Sequence, residues 1–424
     1  VRTRETTLTI PTYAYEDALL PTAPDDPIFP YPRLDRSLVG PRQDRSYRAL
    51  VVENRFLTLT FLPDLGGRLY QAVDKATGHP LFYQNPVIKP SVFGQRGWWL
   101  GVGGMEWAVP TEEHGYLEYL PWEMSTMLSG EGVTVRAETT EQQTGIPITG
   151  RVELLADEGR FTVSLEGTNS TDTAHPFQMW TNAMLSTGGA NRIGPGLQFT
   201  IPTDTMVVHA TEDPGIPGPH ETIPWPVLGG RDLRRPAVWN GYLGAFSPSP
   251  VPFMGVYDLR RDEGAAVVHG PGTVGAKLFG FSPSFDRSLY TDDGSDYVEL
   301  WSGAQPTFWD YPPLAPGTTR AIHTAWLPLQ GIGSLAVASE DGAVGIVRHE
   351  DEEGSGDSTT VALATARMVG EAVVVVQIDG REVFRSAPLD LRPDLPLAVD
   401  LAESVGAGQV VRVEAGGMAW EVML

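Results

Sequence analysis

Asn54-Arg55-Phe56-Leu57-Thr58-Leu59-Thr60-Phe61-Leu62-Pro63-Asp64-Leu65-Gly66-Gly67-Arg68-Leu69 is the stretch whose reading decides the fold. Between Phe56 and Leu62 the residues Leu57, Leu59 and Phe61 alternate with threonines. A period of two puts apolar side chains on one face of an extended chain, as in a half-buried strand. The run then stops at a Pro-Asp step and turns through Gly66-Gly67. Working outward, the same design recurs at Ala49 to Asn54, Val133 to Thr139, Gly150 to Leu155, Arg160 to Glu166 and Leu197 to Ile201. It recurs again at Val251 to Val256, Ala265 to His269, Asp296 to Trp301 and Arg320 to Leu327. Each run is rich in strand-forming residues and ends at a turn signal. No long apolar repeat of period 3.6 interrupts them. The chain therefore reads as all-β with many strands, a large sandwich or barrel.

A boundary falls near Leu329 to Ser334. Beyond it, Gly345 to His349, Thr359 to Ala366, Glu371 to Ile378, Glu382 to Ser386, Leu397 to Val399, Gln409 to Glu414 and Ala419 to Leu424 read as short strands. About seven such strands are expected of an Ig-like sandwich. Ile378-Asp379-Gly380-Arg381 carries an Asp-Gly hairpin signal. The acidic run Glu350 to Ser358 reads as a solvated loop. The organisation expected is an N-terminal arm or strands at 1–47 packed on the main domain, a large β-sandwich at 48–330, and a small one at 331–424. The small sandwich is expected either to cover a cleft or to mediate self-association, which leaves a homo-oligomer open.

Composition excludes several function classes. The formal net charge is −23 over 424 residues. That balance argues against nucleic acid and anionic membranes, which favour basic surfaces. There is no cysteine, which removes disulfides, thiol nucleophiles and thiolate metal sites. No apolar run approaches the ~18 residues needed to span a bilayer. The start, Val1-Arg2-Thr3-Arg4-Glu5, lacks the apolar core of a signal peptide, although a trimmed start stays open. A cytoplasmic location is the expectation. Histidine spacings give no metal site, and no phosphate-cradling glycine motif follows a strand, so no metal and no cofactor are expected.

The segment richest in chemistry is Gly103-Gly104-Met105-Glu106-Trp107-Ala108-Val109-Pro110-Thr111-Glu112-Glu113-His114-Gly115. Charged side chains are rarely buried without partners, so this mix reads as the wall of a site rather than a core strand. Carboxylates bind hydroxyls or move protons, histidine titrates near neutral pH, and an indole covers the apolar face of a pyranose. The surrounding glycines suggest that Trp98, Trp99 and Trp107 sit on loops. Further on, Glu299 and Trp301 share one face of a strand, a carboxylate beside an aromatic platform.

From about Arg48 to Leu329 the chain resembles the galactose-mutarotase-like superfamily. Asn54 to Leu69 is similar to that family's opening hairpin, and Glu113-His114-Gly115 to its first catalytic His-Gly. Thr168-Asn169-Ser170-Thr171-Asp172-Thr173, followed by Met179-Trp180-Thr181-Asn182, is similar to a characteristic strand end. Tyr297 to Gly303, with Leu314-Ala315-Pro316-Gly317-Thr318, is similar to its catalytic Glu strand and the turn that follows. More narrowly, Gly103 to Trp107, Pro110 and His114-Gly115 together with Glu299 to Gly303 resemble an uncharacterised bacterial family in that superfamily, often found ahead of helical repeats. The resemblance implies a β-supersandwich with a sugar cleft on its concave face. It also exposes a departure. Mutarotases use a second histidine as general acid, and Asn182 stands at about that position with no titratable proton.

Glu299, Glu106 and His114 are thus the candidate catalytic residues. Trp107, Trp301, Arg68, Asn182, Glu113, Trp99 and Trp180 are candidate contacts to a carbohydrate ligand. The first reading is a carbohydrate-active enzyme acting at the anomeric centre of a neutral sugar or oligosaccharide, by glycoside hydrolysis with Glu299 and Glu106 as the carboxylate pair. The alternatives are aldose 1-epimerase-like mutarotation using His114 and Glu299, and a non-catalytic carbohydrate-binding protein.

Overall fold

The computed structural model describes residues 1–349, 358–401 and 403–424. The acidic loop at 350–357 lies outside the described residues. The alternating run becomes the strand Leu57–Leu62, which pairs with Arg42–Glu53 on one side and Arg68–Asp74 on the other. It belongs to a 13-stranded sheet, the larger of the two that organise the molecule. The first strand, Arg2–Tyr13, pairs with Arg42–Glu53 along its whole length and lies inside this sheet.

The second sheet has 8 strands, from Glu123–Leu128 at one edge to Leu197–Thr200 at the other. The apolar faces of the two sheets meet. Leu57, Leu59 and Phe61 from the large sheet share one core with Val133, Val152, Val163, Leu165 and Trp326 from the smaller. The fold is all-β, a large two-sheet β-sandwich followed by a small β-sandwich. Burial of alternate residues explains why the period of two was so regular: one face of each strand lines this core and the other faces outward.

After Gln330 the chain builds two 4-stranded sheets around a core of its own, containing Val361, Val376, Val413 and Trp420. The Asp379-Gly380 hairpin forms as read, with Ile378 paired to Arg381 and both turn residues at positive φ. This small sandwich does not cover a cleft. Ile332, Leu335, Ala343 and Ala364 pack on Phe253, Tyr257, Ala266, Ala325 and Leu327. That is the outer face of the smaller sheet, opposite the charged cluster described below. Among the described residues no helix is long and apolar enough to cross a membrane.

Candidate functional site

Four neighbouring strands of the large sheet carry the cluster: Met105–Ala108, Trp180–Leu185, Val298–Gly303 and Gly275–Phe281. Asn182 lies opposite Glu106 on one side and Trp301 on the other, and Trp301 lies opposite Lys277. Alternation then sorts the chemistry. Met105, Trp107, Ala183, Leu185, Ala276, Leu278, Val298 and Leu300 fill the intersheet core. Glu106, Asn182, Lys277, Glu299 and Trp301 therefore project from the opposite face.

The glycines shape the approach. Gly103 and Gly104 have φ of +92° and +78°, and a Cβ on them would lie 2.2 Å from the Tyr83 carbonyl oxygen and 2.7 Å from that of Leu69. Only a residue without a Cβ can make this step between the strands Trp99–Gly103 and Met105–Ala108. Gly115, at φ +61°, passes so close that a Cβ would sit 2.5 Å from the Val109 nitrogen. The chain thereby folds back over its own strand and sets His114 above Glu106.

The polar contacts are dense. Glu106 Oε1 bonds His114 Nδ1 and accepts from Asn182 Nδ2 at 3.0 Å. Glu106 Oε2 accepts from Trp99 Nε1 at 3.2 Å, and Arg68 Nη1 stands 3.7 Å away. Asn182 Nδ2 also reaches Glu299 Oε1 at 3.3 Å, while Glu299 Oε2 accepts from Trp301 Nε1 at 2.7 Å. Only the amide nitrogen can face two carboxylate oxygens, so the orientation of Asn182 is determined by its neighbours. His114 stacks on Trp99 with ring centroids 4.2 Å apart at 22°, and Trp301 lies 5.8 Å away.

These environments push the ionisable groups apart. Burial raises Glu106, but His114, Arg68 and Asn182 outweigh it and hold the carboxyl below its ordinary range. Burial lowers His114, but Glu106 outweighs it and raises the imidazole above its usual value. Glu299 is raised: burial dominates, opposed by Lys277, His114 and the Trp301 hydrogen bond. The site thus sets one carboxyl with lowered proton affinity against an imidazole and a second carboxyl whose proton affinities are raised.

Residues 24–307 match the family described as Domain of unknown function (DUF5107). The chain belongs to that family. Among solved structures it is similar to a TPR-domain containing protein from Parabacteroides distasonis, at 22% identity and TM-score 0.68. That likeness covers 83% of this chain and 59% of the other, so the chain spans about three fifths of that protein's length. It is similar to the Slr1438 protein from Synechocystis sp. PCC 6803 at 13% identity and TM-score 0.50, over 66% of this chain and 95% of that one. A putative mutarotase (YeaD) from Salmonella typhimurium gives 12% identity and TM-score 0.48, over 74% and 98%. For the first two the likeness is one of fold.

The structure gathers Glu106, His114, Asn182, Glu299, Trp99 and Trp301 in one cluster. Glu113 borders it, part-exposed in the left-handed region at φ 57°, and its charge acts on His114 and Lys277. Three other candidates make different contacts. Trp107 points into the intersheet core, against Gly150 of the opposite sheet. Trp180 is fully buried, packed edge-on to Phe308 at 4.9 Å, with its Nε1 donating to Gln178. Arg68 spends its guanidinium on the carbonyls of Leu65, Gly103 and Glu118, so it braces backbone beneath Glu106. The expectation of loops is also corrected, because Trp99 and Trp107 lie in strands. Glycine density here reports close backbone approach, which a strand crossing also requires.

One residue escaped the sequence reading. Lys277 is buried on the strand beside Glu299, with its Nζ 4.7 Å from the Trp301 ring centroid. Its signal was present: it is one of only three lysines in the chain, in the run Ala276-Lys277-Leu278-Phe279.

Proposed function

We propose that this protein is a carbohydrate-active enzyme that moves protons at the anomeric centre of a neutral sugar, in the manner of an aldose 1-epimerase. The observation that carries the reading is the pairing of opposite environments: Glu106 held below its ordinary range by His114 against the effect of burial, and Glu299 raised by burial on the other side of the Asn182 amide. Neighbouring titratable groups driven apart in this way are the mark of an acid–base site. Glu299 takes the proton from O1–H, and His114 donates a hydrogen bond to a sugar oxygen. The resemblance noted in the sequence points to the same residues.

Glycoside hydrolysis by the Glu106–Glu299 pair is the second reading. Asn182 Nδ2 lies 3.0 and 3.3 Å from an oxygen of each, which bounds their separation at about 6 Å. That spacing suits a retaining pair. Two features weigh against it. The Asn182 amide occupies the space between the carboxylates where a scissile oxygen would sit. Both oxygens of Glu106 are also engaged by protein donors, and its lowered proton affinity leaves it poorly suited to give a proton to a leaving group.

The test is anomer exchange followed by NMR on freshly dissolved hexoses and pentoses. Acceleration over buffer that disappears in Glu299→Gln is expected. No acceleration with any sugar removes the reading, and sugar release from a glycoside would replace it with hydrolysis.

A further inference from the structure

Ring opening needs a proton at the ring oxygen as well as a base at O1, and Asn182 has none to give. We propose that Lys277 supplies it. The proposal rests on the anomeric reading above and adds a catalytic residue to it.

Of the 30 basic residues only three are lysine. Lys75 pairs with Glu53 at 2.6 Å and Lys89 with Asp292 at 2.9 Å, both on part-exposed side chains. Lys277 is different. It is 2% exposed, and among the described residues it forms no salt bridge. Its ammonium lies over three rings, 4.7 Å from Trp301, 4.8 Å from Phe308 and 5.1 Å from Phe279. On the next strand Gly244 lets its neighbours close in: a Cβ there would lie 3.0 Å from the Phe279 ring and 3.3 Å from His209, with Lys277 Cε in ordinary contact at 3.6 Å. A chain that uses arginine almost everywhere, including the still more enclosed Arg68 and Arg96, places an amine here. The chemical difference is that an amine releases a proton near neutral pH once desolvated, and a guanidinium does not.

The charged and titratable groups around it are Glu299 from the adjacent strand, Glu113 from the His-Gly loop and His209 from the strand beyond Gly244. Burial lowers Lys277 to about 8, against the raising fields of Glu299 and Glu113. His209 is lowered to about 3 by burial and by Lys277, and stays neutral.

The step balances. The C1–O5 bond breaks, its electron pair stays on O5, and O5 takes a proton from the Lys277 ammonium. Glu299 takes the O1 proton as C1=O1 forms. Rotation about C1–C2 and the reverse transfers close the other anomer, return the proton to Lys277 and leave Glu299 ionised. His114, fixed by Glu106, orients the sugar throughout.

The experiment has two parts. Anomer exchange is measured for Lys277→Met and Lys277→Arg, and both are expected to lose about 10²–10⁴-fold, because arginine keeps the charge but not the transferable proton. The wild-type protein is also acetylated across a range of pH and its peptides weighed. Lys277 is expected to react as a free amine at lower pH than Lys75 and Lys89, and to be protected by saturating sugar. Wild-type exchange in Lys277→Arg overturns the proposal. If acidic sugars alone were lost in Lys277→Met, the residue would be an anion contact instead. Labelling of Lys277 with an ordinary profile, or none in the folded protein, overturns it as well. A wild-type protein that exchanges no sugar overturns the underlying reading, and the labelling profile then tells the two failures apart.

Discussion

The two sheets each carry acids and bases on the face turned from the core, and they use them in opposite ways. On the smaller sheet, Arg136 pairs with Glu138 and Arg151 with Glu166, both at 2.7 Å. Their side chains are 32 to 44% exposed. On the large sheet Arg68, Glu106, His114, Lys277 and Glu299 are all buried. The solvated pairs sit in high dielectric, where attraction and hydration nearly cancel and a pair contributes ~0–1 kcal/mol. In the buried cluster each charge depends on its neighbours, and removing a carboxylate held below its ordinary range, as Glu106 is, costs about 3–5 kcal/mol. Contact distance alone does not distinguish a decorated face from a site. Solvent exclusion does, because it converts proximity into displaced proton affinities.

The sharpest way to break this contrast is Glu299→Gln. Anomer exchange is expected to fall about 10²–10⁴-fold. Stability is expected to rise. Glu299 has its folded-state affinity for a proton raised, so at pH above its unfolded value ionisation costs the folded state, and a neutral amide escapes that cost. Calorimetry showing a lower melting temperature would undo the assignment of Glu299 as a destabilised catalytic group.

Glu106→Gln is expected to act in the other direction, losing about 3–5 kcal/mol in denaturant unfolding, since it strands His114 and Arg68. The pH dependence refines this. Glu106 is lowered in the fold, so its contribution is present above its unfolded pKa and lost as pH falls through the folded value. His114 is raised, so its contribution is full below its unfolded pKa and lost as pH rises through the folded value. The stability gap between wild type and His114→Gln should therefore be widest between about pH 4.3 and 6.5. A gap that keeps growing above that window would contradict the charged pair. Smallest of all, Glu166→Gln should change stability by less than about 1 kcal/mol and leave exchange unaltered. A larger loss would mean that the solvated face is more than decoration.

Much of the fold was legible because it is local. The alternation of Leu57, Leu59 and Phe61, the Asp379-Gly380 turn and the shared face of Glu299 and Trp301 all follow from dihedral preference and a period of two. The same period says that Glu106 and Trp107 oppose each other, but not which of them faces the core. The glycines around Trp107 suggest a loop and a sugar contact, and only the opposing strand with Gly150 places it inside.

By itself the sequence determined the strands, the turns and the identity of the groups that can carry protons. The tertiary structure decided which of those groups lose their water, and with it the direction in which each proton affinity moves. Lys277 and Glu299 are 22 residues apart in the chain yet occupy adjacent strands. Their altered proton affinities arise from the protein packed around them, a property that no single segment encodes.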